Sequence, residues 1–557
     1  MEASAGHLRQ SALLRGWSGR SDFVQGRIGN CWFVAACSCL AGRRDIINKV
    51  IPDASAQDWD LGHKDKYAGI FHFQLWRYGC WVDVVVDDFL PTKRGHLVFV
   101  HSTAPNEFWG ALLEKAYAKA CGSYQAMEGG TGGEALEDFT GGVSEVVSAS
   151  VYGYQDTEGK QNSFFRMVLH AYQSGSLMVT GIPVKSAAEC VAMECGLVKG
   201  HWYAVTAVKC ISRLESSNSA IPPNLYMIRL RNPVGRGEWK GKFSDGCAEW
   251  TRVTKNEQVK MELVFKDDGE FWMPWEDFCA NFTSTAICYI VNTSFFSLTK
   301  KYHCESMFRG EWEPPDRAGG SMTCSDQYLN NPQYKFRVTS PEEEIVLSVI
   351  HRNQDSRPKV GLSVGIMIIQ VEENRRYRLH SPQEPDHTIR VSRYLRFRSS
   401  MRPMLKRGVY VAIPSTFRPG QTGSFLLRMF TRSCSDVCEL SDFGTNTNKS
   451  SVLCRCMPFF SAPILVTRVE VMQLKGVDKD RRDTFCELAC DGEKIKVPLS
   501  NHSKSNEVVG AIFYRRHPTI DSIKIRVSRV VERLPQVYTD VGRQERVPTI
   551  AKRRTLQ

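Results

Sequence analysis

The chain has 557 residues, of which 42% are apolar and 24% charged, with a formal net charge of +12 at pH 7. This composition is that of a globular protein, and the length predicts several domains and excludes collagen-like and disordered classes. No window approaches the roughly 18 apolar residues that span a membrane, and the N-terminus carries no secretory pattern. The mild positive charge permits an anionic membrane surface or an acidic partner and does not require nucleic acid.

The nineteen cysteines are irregularly spaced, and without a secretory pattern we expect them to be reduced thiols in the cytoplasm or nucleus. The two C-x-C pairs, at Cys37 and Cys454, have no histidine or second pair at the spacing of zinc ligands. We therefore expect no structural zinc site.

Alternating apolar residues from Tyr67 to Asp88, with a turn at Tyr78-Gly79, predict a β-hairpin. From Glu107 to Cys121 the apolar period becomes helical, with Asn106 as a candidate cap and Gly122 as the end. Beyond about residue 300 the pattern is of short strands with turn residues, which predicts an antiparallel β-sandwich. A polar interval from Cys434 predicts a linker before a second all-β segment.

Cys31 follows two glycines and opens an apolar run that is typical of a helix. A helix N-terminus favours a thiolate over a thiol, and a thiolate is the nucleophile of acyl transfer. The amide of Gln25 could donate a hydrogen bond to the oxyanion together with the Cys31 N–H. The alternative is an ordinary buried cysteine, which is the more common case for any single cysteine.

Two later residues complete a chemical pattern. His201 stands behind Gly200 at the start of a predicted strand, and Asn232 ends the predicted strand that precedes Pro233. Each residue alone is more typical of a structural role, but the chain order cysteine, histidine, asparagine is that of papain-type proteases.

On these residues the sequence resembles the calpain family of cysteine proteases. The resemblance rests on five blocks in order: residues 25–33, 107–119 with 139–143, 196–201, 231–235 with 238–239 and 244–245, and 268–273. The Gly-Asn-Cys-Trp-Phe sequence and residues 331–334 and 371–375 resemble the atypical branch that ends in a C2 domain. No EF-hand loop signature occurs in the sequence.

The resemblance implies an α+β fold, with a papain-like core in two subdomains followed by antiparallel β-sandwich domains. The implied domains are core subdomain 1 (1–146, with only 30 residues before Cys31) and subdomain 2 (147–295), a calpain-type sandwich (300–433), a linker (434–462), an incomplete C2-like sandwich (463–535) and a basic tail (536–557).

The resemblance also implies roles for individual residues. Cys31 would be the nucleophile, His201 the general base, Asn232 its orienting partner and Gln25 an oxyanion donor. Calcium is the implied cofactor, with one ion in each half of the core. The implied ligands are Asp22 and Glu145 in the first half, and Glu238, Asp245, Asp268 and Glu270, with a carbonyl near Lys266, in the second.

The implied function is a calcium-dependent intracellular cysteine endopeptidase that makes limited cuts in protein substrates. The alternative is a catalytically weak or inactive adaptor for membrane or cytoskeletal partners, which Val234 favours because the family usually has tryptophan there. We expect a monomer without a small EF-hand subunit, in the cytoplasm or nucleus, with the sandwich domains able to meet an anionic membrane.

Overall fold

The computed structural model describes residues 2–3, 23–58, 67–103, 107–148, 158–184, 189–211, 225–291, 304–352, 361–380, 389–432, 436–442, 464–471, 484–490, 493–499, 507–513, 523–529 and 539–540. The chain divides into two units, Met1–Thr299 with Asn353–Gly361, and Lys300–Arg352 with Leu362–Gln557.

Seven helices are found among the described residues of the first unit: α1 (Cys31–Ala41), α2 (Arg44–Val50), α3 (Trp109–Cys121), α4 (Gly132–Thr140), α5 (Glu158–Gln173), α6 (Lys255–Lys260) and α7 (Trp275–Asn281). The predicted helix α3 is confirmed, but it begins at Trp109, with Phe108 at the cap position and no side-chain cap bond. Asn106, the candidate cap, lies outside the described residues. Gly122 ends the helix with a φ of +97°, which glycine adopts readily.

The strands of the first unit are β1 (Glu2–Ala3), β2 (Phe23–Val24), β3 (Ile70–Arg77), β4 (Cys80–Asp87), β5 (Phe89–Leu90), β6 (Thr92–Lys93), β7 (His96–Leu97), β8 (His101–Ser102), β9 (Val143–Val147), β10 (Leu177–Gly181), β11 (Trp202–Ile211), β12 (Leu225–Arg231), β13 (Glu270–Pro274) and β14 (Ser284–Tyr289). Strands β3 and β4 pair antiparallel from Ile70 opposite Asp87 to Arg77 opposite Cys80, which confirms the predicted hairpin. The main sheet is antiparallel, with the strand order β13-β12-β11-β10-β14-β9.

Three apolar clusters lie among the described residues of this unit, and the two larger ones position α1 and the main sheet. The first gathers α1, the hairpin, α3 and α4, and it includes the fully buried rings of Phe33 and Phe71. It also takes Val179 from β10 and Ala204 from β11, so that α1 packs against the main sheet. The second core, which includes Tyr203 and Trp275, draws on the main sheet and on the helices α5 and α7. Each buried side chain of this size contributes about 1.5–3 kcal/mol, so α1 is fixed firmly on the sheet.

The second unit holds β15 (Cys304–Trp312), β16 (Tyr334–Glu344), β17 (Val346–His351), β18 (Ser363–Val371), β19 (Ile389–Val391), β20 (Leu395–Arg396), β21 (Arg398–Met401), β22 (Met404–Thr416), β23 (Gly423–Thr431) and β24 (Cys438–Glu439). Two antiparallel sheets form, with the orders β15-β23-β17-β21 and β19-β18-β22-β16-β24, and β20 pairs with β18. A core that includes Trp312, Phe336 and Phe425 draws on both sheets, as in a sandwich. Strand β24 and the buried Leu440 belong to this sandwich, although both fall inside the predicted linker.

Six further strands follow: β25 (Ile464–Val471), β26 (Thr484–Cys490), β27 (Glu493–Leu499), β28 (Glu507–Phe513), β29 (Ile523–Arg529) and β30 (Thr539–Asp540). Strand β25 pairs with β28, and a second sheet has the order β27-β26-β29-β30. Five strands thus fall within residues 463–535, and β30 falls in the predicted basic tail. The mixture of helices with antiparallel sheets confirms the predicted α+β fold. None of the helices in the described part of the chain could span a membrane.

Candidate active site

The turn before Cys31 depends on close backbone approach. A Cβ atom on Gly26 would lie 2.3 Å from the Cα of Phe99, so only glycine fits at this position. The N–H of Arg27 donates to the carbonyl of Val98 over 3.1 Å, which fixes the turn against that segment. As predicted, the next residues begin helix α1 at Cys31.

The Cys31 side chain is buried, with 7% of its surface exposed. Its Sγ atom lies 3.8 Å from the carbonyl oxygen of Gly200, the residue directly before His201. Burial raises the pKa of the Cys31 thiol, and hydrogen bonds from the N–H groups of Trp202, Trp32 and Cys31 itself lower it by less. The expected thiolate is therefore not the favoured form in this geometry, because desolvation outweighs the N–H groups of the helix start.

His201 stands immediately before β11, as the sequence predicts. The Nε2 atom of His201 is buried and has no hydrogen-bond partner among the described residues. Burial lowers the pKa of the imidazole, so the neutral form is favoured. Gly200 is needed here for two reasons: its φ is +77°, and a Cβ atom would lie 2.3 Å from the Sγ of Cys190.

Asn232 directly follows β12 and is 1% exposed. Its Nδ2 atom donates to the carbonyls of Arg236 and Gly237, each over 3.0 Å, and its Oδ1 accepts the N–H of Val234 over 3.0 Å. Both amide hydrogens are thereby used inside the turn that follows the strand. The structure brings Cys31 close to the segment of His201, but it does not bring the Asn232 amide to the imidazole.

Gln25 links the cysteine segment to the asparagine segment. Its backbone N–H donates to the carbonyl of Pro233 over 3.1 Å, and its Nε2 donates to the carbonyl of Ile28 over 2.7 Å. The second hydrogen on Nε2 is the group that could serve an oxyanion beside the N–H of Cys31.

Acidic side chains line a loop that contacts the Asn232 turn. Glu238 Oε1 accepts the N–H groups of Asp268 and Gly269, over 3.0 and 2.9 Å. Asp245 Oδ2 accepts the N–H of Lys266 over 2.9 Å, and the Lys266 carbonyl accepts the N–H of Asp268 over 2.8 Å. These carboxylates therefore bond to the backbone of the loop.

The charges of this loop repel one another. Burial raises the pKa of Glu238, and the charges of Asp245 and Asp267 raise it further. Burial likewise raises the pKa of Asp245, with a further contribution from Asp268 and Asp267. Such a set of oxygens matches the preference of a hard cation such as Ca²⁺. In the part of the chain that the structure describes, however, no three acidic, histidine or cysteine side chains converge as metal ligands.

The remaining predicted calcium ligands have other contacts or lie outside the described residues. Glu270 is next to this group, since its N–H donates to Asp268 Oδ1 over 3.1 Å, but its carboxylate lies 3.5 Å from the Nε of Arg229, with which it forms an ion pair. Glu145 lies on β9 opposite Ile287, at the edge of the main sheet. Asp22 is outside the described residues, so the first predicted pair cannot be placed.

Sequence reasoning missed one buried pair beside Cys31. The amide of Asn30 donates to the carboxylate of Glu114 on α3 over 2.6 Å, and both residues are completely buried. The available signal was a glutamate between apolar residues of a helix that packs on all sides. Nothing in the sequence pairs it with a residue 84 positions away.

Comparison with known proteins identifies two family regions. Residues 7–289 match the calpain family cysteine protease model, and residues 308–430 match the model for domain III of the calpain large subunit. The chain is 44% identical to Calpain-5 of Mus musculus over 513 residues, which covers 89% of this chain and 78% of that relative.

Two further relatives extend the comparison. The chain is 39% identical to Calpain-5 of Caenorhabditis elegans, with 74% of this chain and 66% of that relative covered. It is 35% identical to the Calpain-1 catalytic subunit of Mus musculus, with 76% and 59% covered. The predicted resemblance is thus confirmed: the chain belongs to the calpain family of cysteine proteases.

Proposed function

We propose that this protein is a calcium-dependent cysteine endopeptidase that makes limited cuts in protein substrates. The observation that carries the proposal is the position of Cys31 at the first residue of α1, with its sulfur 3.8 Å from the carbonyl that precedes His201. A nucleophile and a base on opposing elements are the minimum for thiol acyl transfer. Membership of the calpain family supports the roles of nucleophile for Cys31 and general base for His201.

In the proposed reaction the Cys31 sulfur attacks the carbonyl carbon of a substrate amide. His201 takes the thiol proton and gives it to the leaving amine, and water then hydrolyses the thioester. The N–H of Cys31 and the second Nε2 hydrogen of Gln25 would stabilise the oxyanion. Asn232 would hold the imidazole by accepting its N–H through Oδ1, the atom that here accepts the N–H of Val234.

Calcium dependence is supported by the acidic loop and by its contact with the Asn232 turn. Glu238, Asp245 and Asp268 are the residues that would hold the ion, which would supply the positive charge that relieves their repulsion. The same loop contacts the Asn232 turn, because the N–H of Asn232 donates to the carbonyl of Gly269 over 2.8 Å. A change in the acidic loop therefore has a direct route to Asn232.

We further propose that the chain is a monomer that acts in the cytoplasm or nucleus without a small EF-hand subunit. The sandwich of the second unit and the C2-like strands after it would provide the surface for an anionic membrane. The exposed Ile389 and Val391 on β19, with Arg390 between them, support this role for the sandwich.

The second candidate function is a calpain-like adaptor with little or no activity. One observation favours it: Asn232 Oδ1, the atom that would accept the imidazole N–H, here accepts the N–H of Val234, where the family usually has tryptophan. An adaptor would keep this arrangement permanently, whereas an enzyme must leave it.

Proteolysis of casein by the full chain and by Cys31→Ser distinguishes the two. We expect wild-type cleavage in millimolar Ca²⁺ and a loss of at least about a thousandfold in Cys31→Ser, because a hydroxyl is a far weaker nucleophile at neutral pH. The exposed Cys80 provides a matched control, since Cys80→Ser removes a thiol away from the site. Equal cleavage by wild type and Cys31→Ser would refute the proposed role, and no cleavage by the wild type would favour the adaptor.

A further inference from the structure

Cys190 is an exposed cysteine that lies beside Gly200. A Cβ atom on Gly200 would be 2.3 Å from the Cys190 sulfur, so this sulfur packs directly on the glycine. The carbonyl oxygen of the same glycine lies 3.8 Å from the Cys31 sulfur. Because the Cα and the carbonyl oxygen of one residue are less than about 3 Å apart, the two sulfurs are neighbours across Gly200.

A short hairpin brings Cys190 to this position. Ala192 pairs antiparallel with Val198, and this register places Cys190 opposite Gly200. Gly200 is itself held to the end of β10, because its N–H donates to the carbonyl of Ile182 over 2.7 Å. The place of Cys190 next to the active-site segment is therefore set by backbone pairing.

The two thiols differ in their access to solvent. Cys190 is exposed, whereas Cys31 is 7% exposed, so an oxidant in solution meets Cys190 first. Cys31 in turn stands at the start of α1 within the site of the proposed base His201, which can take its proton. A negative charge on Cys190 also raises the pKa of Cys31, as expected for two sulfurs near one another.

We propose that Cys190 is a redox partner of the nucleophile: once oxidised by hydrogen peroxide, it forms a reversible disulfide with Cys31 that switches the protease off. This inference rests on the proposed role of Cys31 as the nucleophile. Gly200 permits the bond, since any side chain there would take the space of the Cys190 sulfur. The Cys190 thiol makes no hydrogen bond to other described residues, so its rotation toward Cys31 breaks none of these.

The chemistry takes two steps and consumes one peroxide. Hydrogen peroxide oxidises the Cys190 thiol to a sulfenic acid and is itself reduced to water. His201 then takes the proton of the Cys31 thiol, and the Cys31 sulfur attacks the sulfur of Cys190. The S–O bond breaks, and the hydroxide leaves as water with the proton from His201. A thiol reductant such as glutathione reverses the disulfide and returns both cysteines to the reduced form.

The test treats the reduced full chain with hydrogen peroxide, blocks free thiols with iodoacetamide, and digests it with trypsin without reduction. Trypsin separates the two cysteines, because it releases residues 28–43 and 186–199 as different peptides. We expect these peptides to be linked, with fragmentation that assigns the bridge to Cys31 and Cys190, and dithiothreitol to separate them. Since a disulfide needs Cα atoms within about 7 Å, the linked peptide measures directly whether the hairpin brings Cys190 that close.

Two variants of the hairpin separate this role from general oxidation. Cys190→Ser removes the proposed partner, and Cys195→Ser is the matched control, because it removes a thiol from the same hairpin and the same tryptic peptide. We expect peroxide to abolish casein cleavage by the wild type and by Cys195→Ser, and dithiothreitol to restore it. Cys190→Ser should be inactivated about tenfold more slowly, because peroxide must then reach the buried Cys31 itself.

The two readings fail independently. Absence of the bridge between Cys31 and Cys190 in the wild type overturns the proposal, and so does a Cys190→Ser variant that is inactivated as fast as the wild type. If the reduced wild type does not cleave casein, the proposed function is refuted, and the linked peptide still decides whether Cys190 is the partner of Cys31.

Discussion

The two sides of the candidate active site differ in how their hydrogen bonds are arranged. On the cysteine side, the turn before Cys31 is held by Val98, Val100 and Glu114, and the sulfur already meets backbone N–H groups. On the histidine side, His201 Nε2 has no partner among the described residues, and the Asn232 amide is held by its own turn. The cysteine side thus has its backbone contacts in place, although burial still raises the pKa of the thiol, whereas on the histidine side no described residue bonds to the imidazole Nε2.

Among the variants that test this difference, His201→Ala has the largest expected effect. We expect proteolysis to fall by about a thousandfold or more, because the variant loses its general base and acid. Alkylation of Cys31 by iodoacetamide in chelator should change less than about threefold, since the sulfur there bonds to backbone groups. His72→Ala, at a partly exposed position of strand β3 that pairs with Asp83, is the control. If alkylation of Cys31 also fell strongly, His201 would already influence the Cys31 sulfur in the absence of calcium.

Asp268→Asn sharpens the comparison on the histidine side. Removing one carboxylate weakens an oxygen site for Ca²⁺, so we expect the calcium concentration for half-maximal casein cleavage to rise about tenfold or more. Glu257→Gln, at a half-buried residue of α6 that pairs with the exposed Lys260, is the matched control. Equal cleavage by the wild type in chelator and in calcium would contradict the calcium assignment itself.

Val234→Trp tests whether the asparagine turn is loosely packed. Val234 is half-buried and donates its N–H to Asn232, and an indole would bury about 150 Å² or more beside the cleft. We expect the calcium-saturated cleavage rate to rise severalfold, because better alignment of the site outweighs any hindrance to closure. An unchanged or lower rate would mean that valine is adapted to this turn.

The smallest expected effect is on the pH dependence of folding stability, through Glu114 on the cysteine side. Burial raises the pKa of Glu114 to about 7, against hydrogen bonds from Val100 and Asn30 that lower it. The titratable side chains that interact with Glu114 are Cys37 and Tyr124. Burial raises the pKa of each, so both stay neutral between pH 4.5 and 7. The folded state therefore binds more protons than the unfolded state between pH 4.5 and 7, and stability falls as the pH rises through this window.

Glu114→Gln should remove this dependence. We measure the thermal midpoints of the variant and the wild type by calorimetry at pH 5 and at pH 8. The midpoint of the variant minus that of the wild type should be several degrees larger at pH 8 than at pH 5. Glu257→Gln, at the half-buried glutamate that pairs with Lys260, again serves as the control. A constant difference between the variant and the wild type at all pH values would show that Glu114 does not titrate in this range.

Local patterns predicted the elements that carry the site. Two glycines before an apolar run placed Cys31 at a helix start, and a glycine before alternating residues placed His201 at a strand start. The hairpin and the long strands of the sandwich followed from the same periodicity. The helix α3 was found by its apolar face, but its first residue was misjudged because a cap is defined by backbone angles.

What the sequence could not predict depends on contacts between distant segments. The hydrogen bonds of the Asn232 amide within its own turn require the conformation in which Gly235 and Gly237 have φ values of +71° and +83°. The raised pKa of Cys31 results from burial beneath residues almost 170 positions away, near Gly200. The pair of Asn30 and Glu114 likewise joins residues whose spacing carries no periodic signal.

The hydrogen bond from the Gln25 N–H to the Pro233 carbonyl joins the two sides of the cleft through backbone atoms alone. Substitution of the side chain at either residue therefore leaves this hydrogen bond in place. Only a proline at residue 25 would remove it, because proline has no N–H to donate. Substitutions at the neighbouring residues Val24 and Val234 can accumulate while this connection persists.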